Sequence, residues 1–264
     1  MNIFDSHCHL DDRCFEADFE NVMQRAAEQE VRRMLIAGIN LRTSRRAMAL
    51  ANRHQEIYAS VGIHPHDAQH CSEKILDELS LLAASPRVVA WGEVGLDFNR
   101  MYSPQKDQEH WFIRQLETAE RLDLPLIFHE RDSDGRFLDV LDATPANRRR
   151  AVVHCFSGNP SELARYLEMG FYLGITGIVT VKKRGAALRD MLPDIPKDRI
   201  LVETDAPYLT PTPQRNKHRR NEPAFVHRVL LKVAEVLDAD VPSLAEQVWS
   251  NTCKLFRIAP EIET

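Results

Sequence analysis

The chain has 264 residues, of which 44% are apolar and 28% charged, the profile of a folded chain with a core rather than a disordered, collagenous or membrane-spanning one. Its 34 basic and 39 acidic residues leave a formal net charge of −5, which argues against a bulk nucleic-acid coater or a basic membrane-surface protein but leaves room for a local basic rim. Five cysteines, odd in number and without CxxC spacing, suggest neither a disulfide framework nor a zinc knuckle. The acidic start MNIFDSHCHLDD and the lack of an apolar run of about 20 residues set the expectation of a cytoplasmic protein with no leader and no membrane span.

In chain order, short apolar or β-branched runs at 3–5, 33–38, 57–63, 88–95, 125–129, 151–155, 171–176 and 200–205 predict eight strands. Most are apolar on both faces, as a parallel sheet covered by helices requires. Amphipathic stretches separate them. In 105–122, Trp111, Phe112, Leu116, Ala119 and Leu122 recur at helical spacing, and 222–239 and 242–256 predict two further helices after the last strand. Eight βα units in a chain of this length predict one α/β domain over 1–264, a (β/α)8 TIM barrel with an extra C-terminal helix.

Barrel active sites collect at the C-terminal ends of strands, and the unusual residues of this chain fall there. His7 and His9 close the first predicted strand, with period-two alternation turning both rings to one face and Cys8 to the other. Glu93 is read as ending the fourth strand, His129 the fifth, His154 the sixth and Asp205 the eighth. Any one of them has an ordinary reading, as a core histidine or a helix cap. Gathering four imidazoles and two carboxylates without a cation would be a costly desolvation, so the set reads as a metal site. Six ligands exceed the three or so of a single catalytic zinc. Two divalent ions (Mg, Mn or Zn) are therefore expected, with His7, His9 and Asp205 at one, His129 and His154 at the other, and Glu93 as the bridge.

The motifs DSHCHLD, VGIHPHD, GEVGLDF, LPLIFHERD, VVHCFSG, GITGIV, LVETDAPYL and RRNEPA, in this order, resemble the TatD family of metal-dependent hydrolases, which belongs to the amidohydrolase-type barrels. The match runs from residue 3 to about residue 256, and GEVGLDFNR with RRNEPA is similar to the deoxyribonuclease branch. The resemblance implies a cytoplasmic, divalent-metal-dependent 3′→5′ exonuclease on single-stranded DNA or RNA, with a DNA-repair setting by analogy. It implies the same six metal residues. Many barrels of the wider superfamily carry a carboxylated lysine where this chain has Glu93.

Further residues are expected to grip substrate. His64, in GIHPHD, and Arg131, two residues after His129, are read as phosphate contacts, and Tyr208 as a base-stacking ring. His66 is given no role. Glu203 is read as sharing the inward face of Asp205, where it orients a ligand histidine or forms a buried ion pair. The runs 182–184 and 215–220 form a basic rim for a polyanion, whereas 148–150 reads as plain surface. The expected chemistry is in-line hydrolysis of a phosphodiester by a metal-bound hydroxide, with Asp205 as general base. The expected protein is a monomer acting on single-stranded nucleic acid. The alternatives are an amidohydrolase or esterase acting on a small carbonyl substrate and a metal-holding accessory protein without turnover.

Overall fold

The structure, a computed structural model, describes residues 1–144 and 149–261; of the basic stretch 148–150, Arg148 lies outside the described residues. Eight strands alternate with helices: β1 (Ile3–Cys8), β2 (Val31–Ile36), β3 (Ile57–Val61), β4 (Val88–Asp97), β5 (Leu126–Arg131), β6 (Ala151–Val153), β7 (Tyr172–Ile175) and β8 (Ile200–Val202). The helices are α1 (Phe19–Glu28), α2 (Leu41–Ala51), α3 (Glu73–Leu82), α4 (Gln105–Arg121), α5 (Arg136–Ala143), α6 (Pro160–Glu168), α7 (Ala186–Met191), α8 (Val226–Val236) and α9 (Val241–Phe256). Sheet order follows chain order. The additional C-terminal helix is α9.

Internal packing divides the chain into two compact units, Met1–Ile36 with Tyr172–Thr264, and Ala37–Phe171. In the first, β1 pairs in parallel with β2, and β7 with β8. Strands β1 and β8 are joined by Ser6 Oγ donating to the Val202 carbonyl at 3.1 Å. Beyond the end of β8, Asp205 N–H donates to the His7 carbonyl at 2.9 Å, and His9 N–H to the Ala206 carbonyl at 2.7 Å. Helices α8 and α9 bury Val229, Leu230, Val233, Leu244, Val248 and Phe256 on this half, and Phe4 meets Trp249 at 5.9 Å between ring centroids.

In the second unit β3, β4, β5 and β6 pair in parallel in that order. Phe112 of α4, Phe128 of β5 and Phe137 of α5 pack with ring centroids 5.2–5.8 Å apart, an arrangement that adds edge-to-face attraction to burial. Trp91 is fully buried, whereas Trp111 and Leu122 of the predicted 105–122 stripe are half-buried. Helices α2 and α6 start on Asn40 and Asn159, whose side chains accept from backbone N–H groups while Thr43 and Glu162 reach back, the reciprocal cap that satisfies the open donors of a first turn.

Strand ends differ from the sequence expectation. β1 runs on to Cys8, so His7 lies inside it; β4 and β5 run on to Asp97 and Arg131, so Glu93 and His129 are interior. β6 stops at Val153, just before His154, and β8 at Val202, three residues before Asp205. Past β8 the ladder ends where Asp5 captures Thr204 through its N–H and hydroxyl and Asp205 takes the left-handed conformation with φ 57°.

Candidate metal centre

In the first unit, β1 carries His7, the residue just beyond its end is His9, and the segment leaving β8 carries Asp205. The Nε2 atoms of His7 and His9 are 3.3 Å apart, and Asp205 Oδ1 lies 3.3 Å from His9 Nε2 and 3.8 Å from His7 Nε2. Ligands about 2.1 Å from a tetrahedral cation stand about 3.4 Å from one another. The three atoms are thus spaced like one face of such a coordination shell. Both rings are buried, and the Asp205 side chain keeps 14% of its surface.

The hydrogen-bonded segment around Asp205 holds this triangle. Asp5, fully buried, accepts from Thr204, and its carboxyl is pushed up to about 8 by burial, against those hydrogen bonds. Asn221, in RRNEPA, donates to the Thr204 and Tyr208 carbonyls at 2.8 and 2.6 Å. Glu203, two residues before Asp205, lies just beyond the end of β8. Its buried carboxylate takes Ser6 Oγ at 3.3 Å and lies over Gly174, where a Cβ would come within 2.5 Å of it. Tyr208 is 55% exposed, with its ring edge-on to His9 at 5.9 Å.

The second unit gathers Glu93, His129, His154 and His64. Glu93 Oε1 is 2.7 Å from His129 Nδ1, 3.4 Å from His64 Nε2 and 3.9 Å from His154 Nε2, and His64, Glu93 and His129 offer ligand atoms close enough to share one ion. Register brings Gly95 opposite His129, and a Cβ at Gly95, whose φ is 148°, would run into the His129 carbonyl. Burial would raise the Glu93 carboxyl, but the His64 and His154 rings and the hydrogen bonds of His129 and His64 hold it well below the usual range. Burial and the neighbouring His129 push His64 down to about 4. His129 goes the other way: against burial, its bonds to Asp97 and Glu93 raise it to about 9. A buried carboxylate kept ionised among imidazoles is the donor chemistry a divalent cation requires, so the residues fit such an ion.

His64, expected as a phosphate contact, is thus packed against Glu93, with its Nδ1 accepting the His66 N–H at 3.0 Å. Arg131 ends β5, and among the described residues its guanidinium has no hydrogen-bond or ion-pair partner; Asp132 instead accepts from Asn99 at 2.6 Å. Of the basic rim, Lys183 and Arg184 are exposed, but Arg220 is bound to Asp18 at 2.7 and 2.8 Å and to the Cys14 carbonyl. Two residues carried no expectation. Asp97 is fully buried and faces both His66 and His129, and burial is outweighed by these bonds, which lower its carboxyl. Its signal was in the sequence, four residues beyond Glu93 and so on the same face of one strand. Asp5, two residues before His7, is the other.

The chain has the (β/α)8 fold of metal-dependent hydrolases, and comparison with known proteins narrows the class. The model of the TatD-related DNase family matches residues 4–257, and the chain belongs to that family. It is 44% identical to the 3′-5′ ssDNA/RNA exonuclease TatD of Pantoea ananatis, over 96% of this chain and 99% of that one. Among solved structures it matches the TatD homologue YJJV of Escherichia coli K12, with TM-score 0.89 and 31% identity over 97% and 98% of the two chains. It also matches a TatD family hydrolase of Entamoeba histolytica, with TM-score 0.88 and 25% identity over 98% and 99%. Among the described residues no helix is long and apolar enough to cross a membrane.

Proposed function

We propose that the chain hydrolyses phosphodiester bonds of single-stranded DNA or RNA from the 3′ end, using two divalent ions. His7, His9 and Asp205 would hold one ion, and Glu93, His129 and His154, with His64 beside them, the other. Bound there, such ions supply Lewis acidity and lower the pKa of water. The observation that carries this reading is the spacing of donor atoms: nitrogen and carboxylate oxygen 3.3–3.8 Å apart in the His7–His9–Asp205 group, in a member of the TatD-related DNase family.

The residues of the chain divide the remaining work by what their atoms can do. Asp205, the least buried of the first group, would take a proton from attacking water. Its left-handed turn and the bonds of Asp5 and Asn221 fix the segment that carries it. Tyr208, exposed beside His9, offers a stacking face to a terminal base, worth about 1–3 kcal/mol. Arg131, with its planar fork of donors open, suits a phosphate oxygen, and Lys183 and Arg184 suit the backbone that follows.

The test is a digest of 3′- and 5′-labelled single and double strands with Mg, Mn or Zn, beside chelated protein and Glu93→Ala. Release of 5′-mononucleotides from the 3′ end, with two ions bound per chain, is expected. Undiminished cleavage after chelation or in Glu93→Ala, or turnover of small carbonyl substrates without cleavage of oligonucleotides, refutes the proposal.

A further inference from the structure

Asp97 closes β4, and both of its carboxylate oxygens are fully engaged. Oδ1 accepts from the backbone N–H groups of Asn99 and Arg100 at 3.0 and 2.8 Å. Oδ2 faces Nε2 of His66 at 2.8 Å and Nε2 of His129 at 3.2 Å. The backbone is fixed separately by Gln108 of α4, whose Oε1 accepts the Asp97 N–H at 2.8 Å and whose Nε2 donates to the Asp97 carbonyl at 3.0 Å. Four donors on two oxygens fill the lone-pair positions of an ionised carboxylate, which can only accept. Each facing Nε2 must therefore carry hydrogen, and no lone pair of Asp97 is left over to bind an ion itself.

With hydrogen held on Nε2 by Asp97, Nδ1 is the nitrogen that gives up its proton when the ring takes an ion. Nδ1 is the atom aimed at Glu93, 2.7 Å from its Oε1. Without an ion the ring donates from both nitrogens, to Asp97 and to Glu93, and only the Nδ1 hydrogen lies on the side of the proposed metal group. We infer that Asp97 is a positioning residue that fixes the tautomer and orientation of His129, presenting Nδ1 beside Glu93 as a metal ligand and tying His66 to the same anchor. The inference rests on the metal-centre reading proposed above and adds to it a residue that touches neither ion nor substrate. A carboxylate behind a ligand histidine raises the basicity of the ring, and its loss costs about 10–100-fold in metal affinity.

The experiment uses the full chain labelled with ¹⁵N at histidine, with cadmium-113 as the probe ion. Long-range ¹H–¹⁵N spectra report which His129 nitrogen carries hydrogen and which couples to cadmium; calorimetry gives the affinity. Wild type is expected to couple at Nδ1 and keep hydrogen on Nε2. In Asp97→Asn an NH2 group must face either the turn N–H groups or the imidazoles. Cadmium affinity should fall about 10–100-fold, and an NH2 group facing the imidazoles would leave the His129 hydrogen on Nδ1 alone in the metal-free protein. Coupling at Nε2 in wild type, which needs no variant to fold, overturns the inference, as does an Asp97→Asn affinity within about threefold of wild type. If His129 in wild type shows no cadmium coupling at all, the metal-centre reading falls, and the inference with it.

Discussion

Asn221 gives the sharpest test of how the Asp205 segment is held. It is completely buried, its amide donates to the Thr204 carbonyl at 2.8 Å and the Tyr208 carbonyl at 2.6 Å, and its Oδ1 accepts the Glu222 N–H at 3.0 Å. Asn221→Ala removes three hydrogen bonds and leaves two carbonyls and one N–H in a dry place. At about 1 kcal/mol for each bond the loss is about 3 kcal/mol, and more if water cannot reach the stranded groups. For a chain of this size 1 kcal/mol moves the melting temperature by about 2–4 °C, so a fall of about 6–12 °C is expected by differential scanning calorimetry. Asn216→Ala, at an exposed position, serves as control and should stay near wild type. Because Asp205 rides on residues 204–208, divalent-ion affinity should fall with stability. A melting point within about 2 °C of wild type would show that Asn221 does not hold the segment, and the account of Asp205 placement would fail.

Asp18, bonded to Arg220 and Arg25, has its carboxyl lowered from 3.8 to about 2 by those hydrogen bonds and charges, against burial. A depressed carboxylate stabilises the fold above its ordinary pKa and loses that contribution as the pH falls through the folded value. The full shift would amount to about 2.4 kcal/mol, but a side chain 30% exposed is screened, leaving about 1 kcal/mol. Asp18→Asn should therefore lower the melting point by about 2–4 °C at pH 7, with the gap closing between pH 4 and pH 2; a gap unchanged over that range contradicts the assignment. Tyr208→Ala should raise KM for single-stranded oligonucleotides about tenfold by loss of one stacking face and leave kcat within about twofold; a fall confined to kcat would mean the ring does not bind a base. Replacing Lys183 and Arg184 together by Ala should reduce the slope of log Kd against log salt by about 1.4 if each meets one phosphate of a single strand. An unchanged slope would remove this rim from the substrate path.

The alternation of strands and helices was legible because each strand is a short apolar run and each helix a stripe of apolar residues at 3.6 spacing. The ends were not, because they are set by contacts the pattern does not encode. Asp97 shows the difficulty. The apolar run of β4 breaks at Gly92-Glu93 and again at Gly95, which predicts a strand ending there; the ladder to β5 continues to the Asp97–Arg131 pair. Glu93 and Asp97 then approach opposite nitrogens of one ring. At the other extreme, Asp205 reads as the last residue of a strand, whereas β8 ends at Val202 and Asp205 sits in a left-handed turn beyond it. Arg220 read as part of an open basic run, yet the chain folds it back onto Asp18, a pairing across 202 positions that no local pattern announces.

The donor atoms of each group come from neighbouring strands or from the backbone just beyond them, and this explains how residues so distant in sequence reach ligand spacing. Adjacent strands stand about 4.8 Å apart, and the convergence of their side chains closes the remaining gap. At β1 and β8 the tie is direct, since the backbone of Asp205 bonds that of His7 and the backbone of His9 bonds that of Ala206. At β4 and β5 it is the pairing of Gly95 with His129, with Glu93 and Asp97 on either side. If these groups hold ions as proposed, spacing set by ladder register means that little ordering cost would fall on binding. It also means that substitutions which slip a register, such as Gly95→Ala against the His129 carbonyl, should weaken ion binding without touching a ligand.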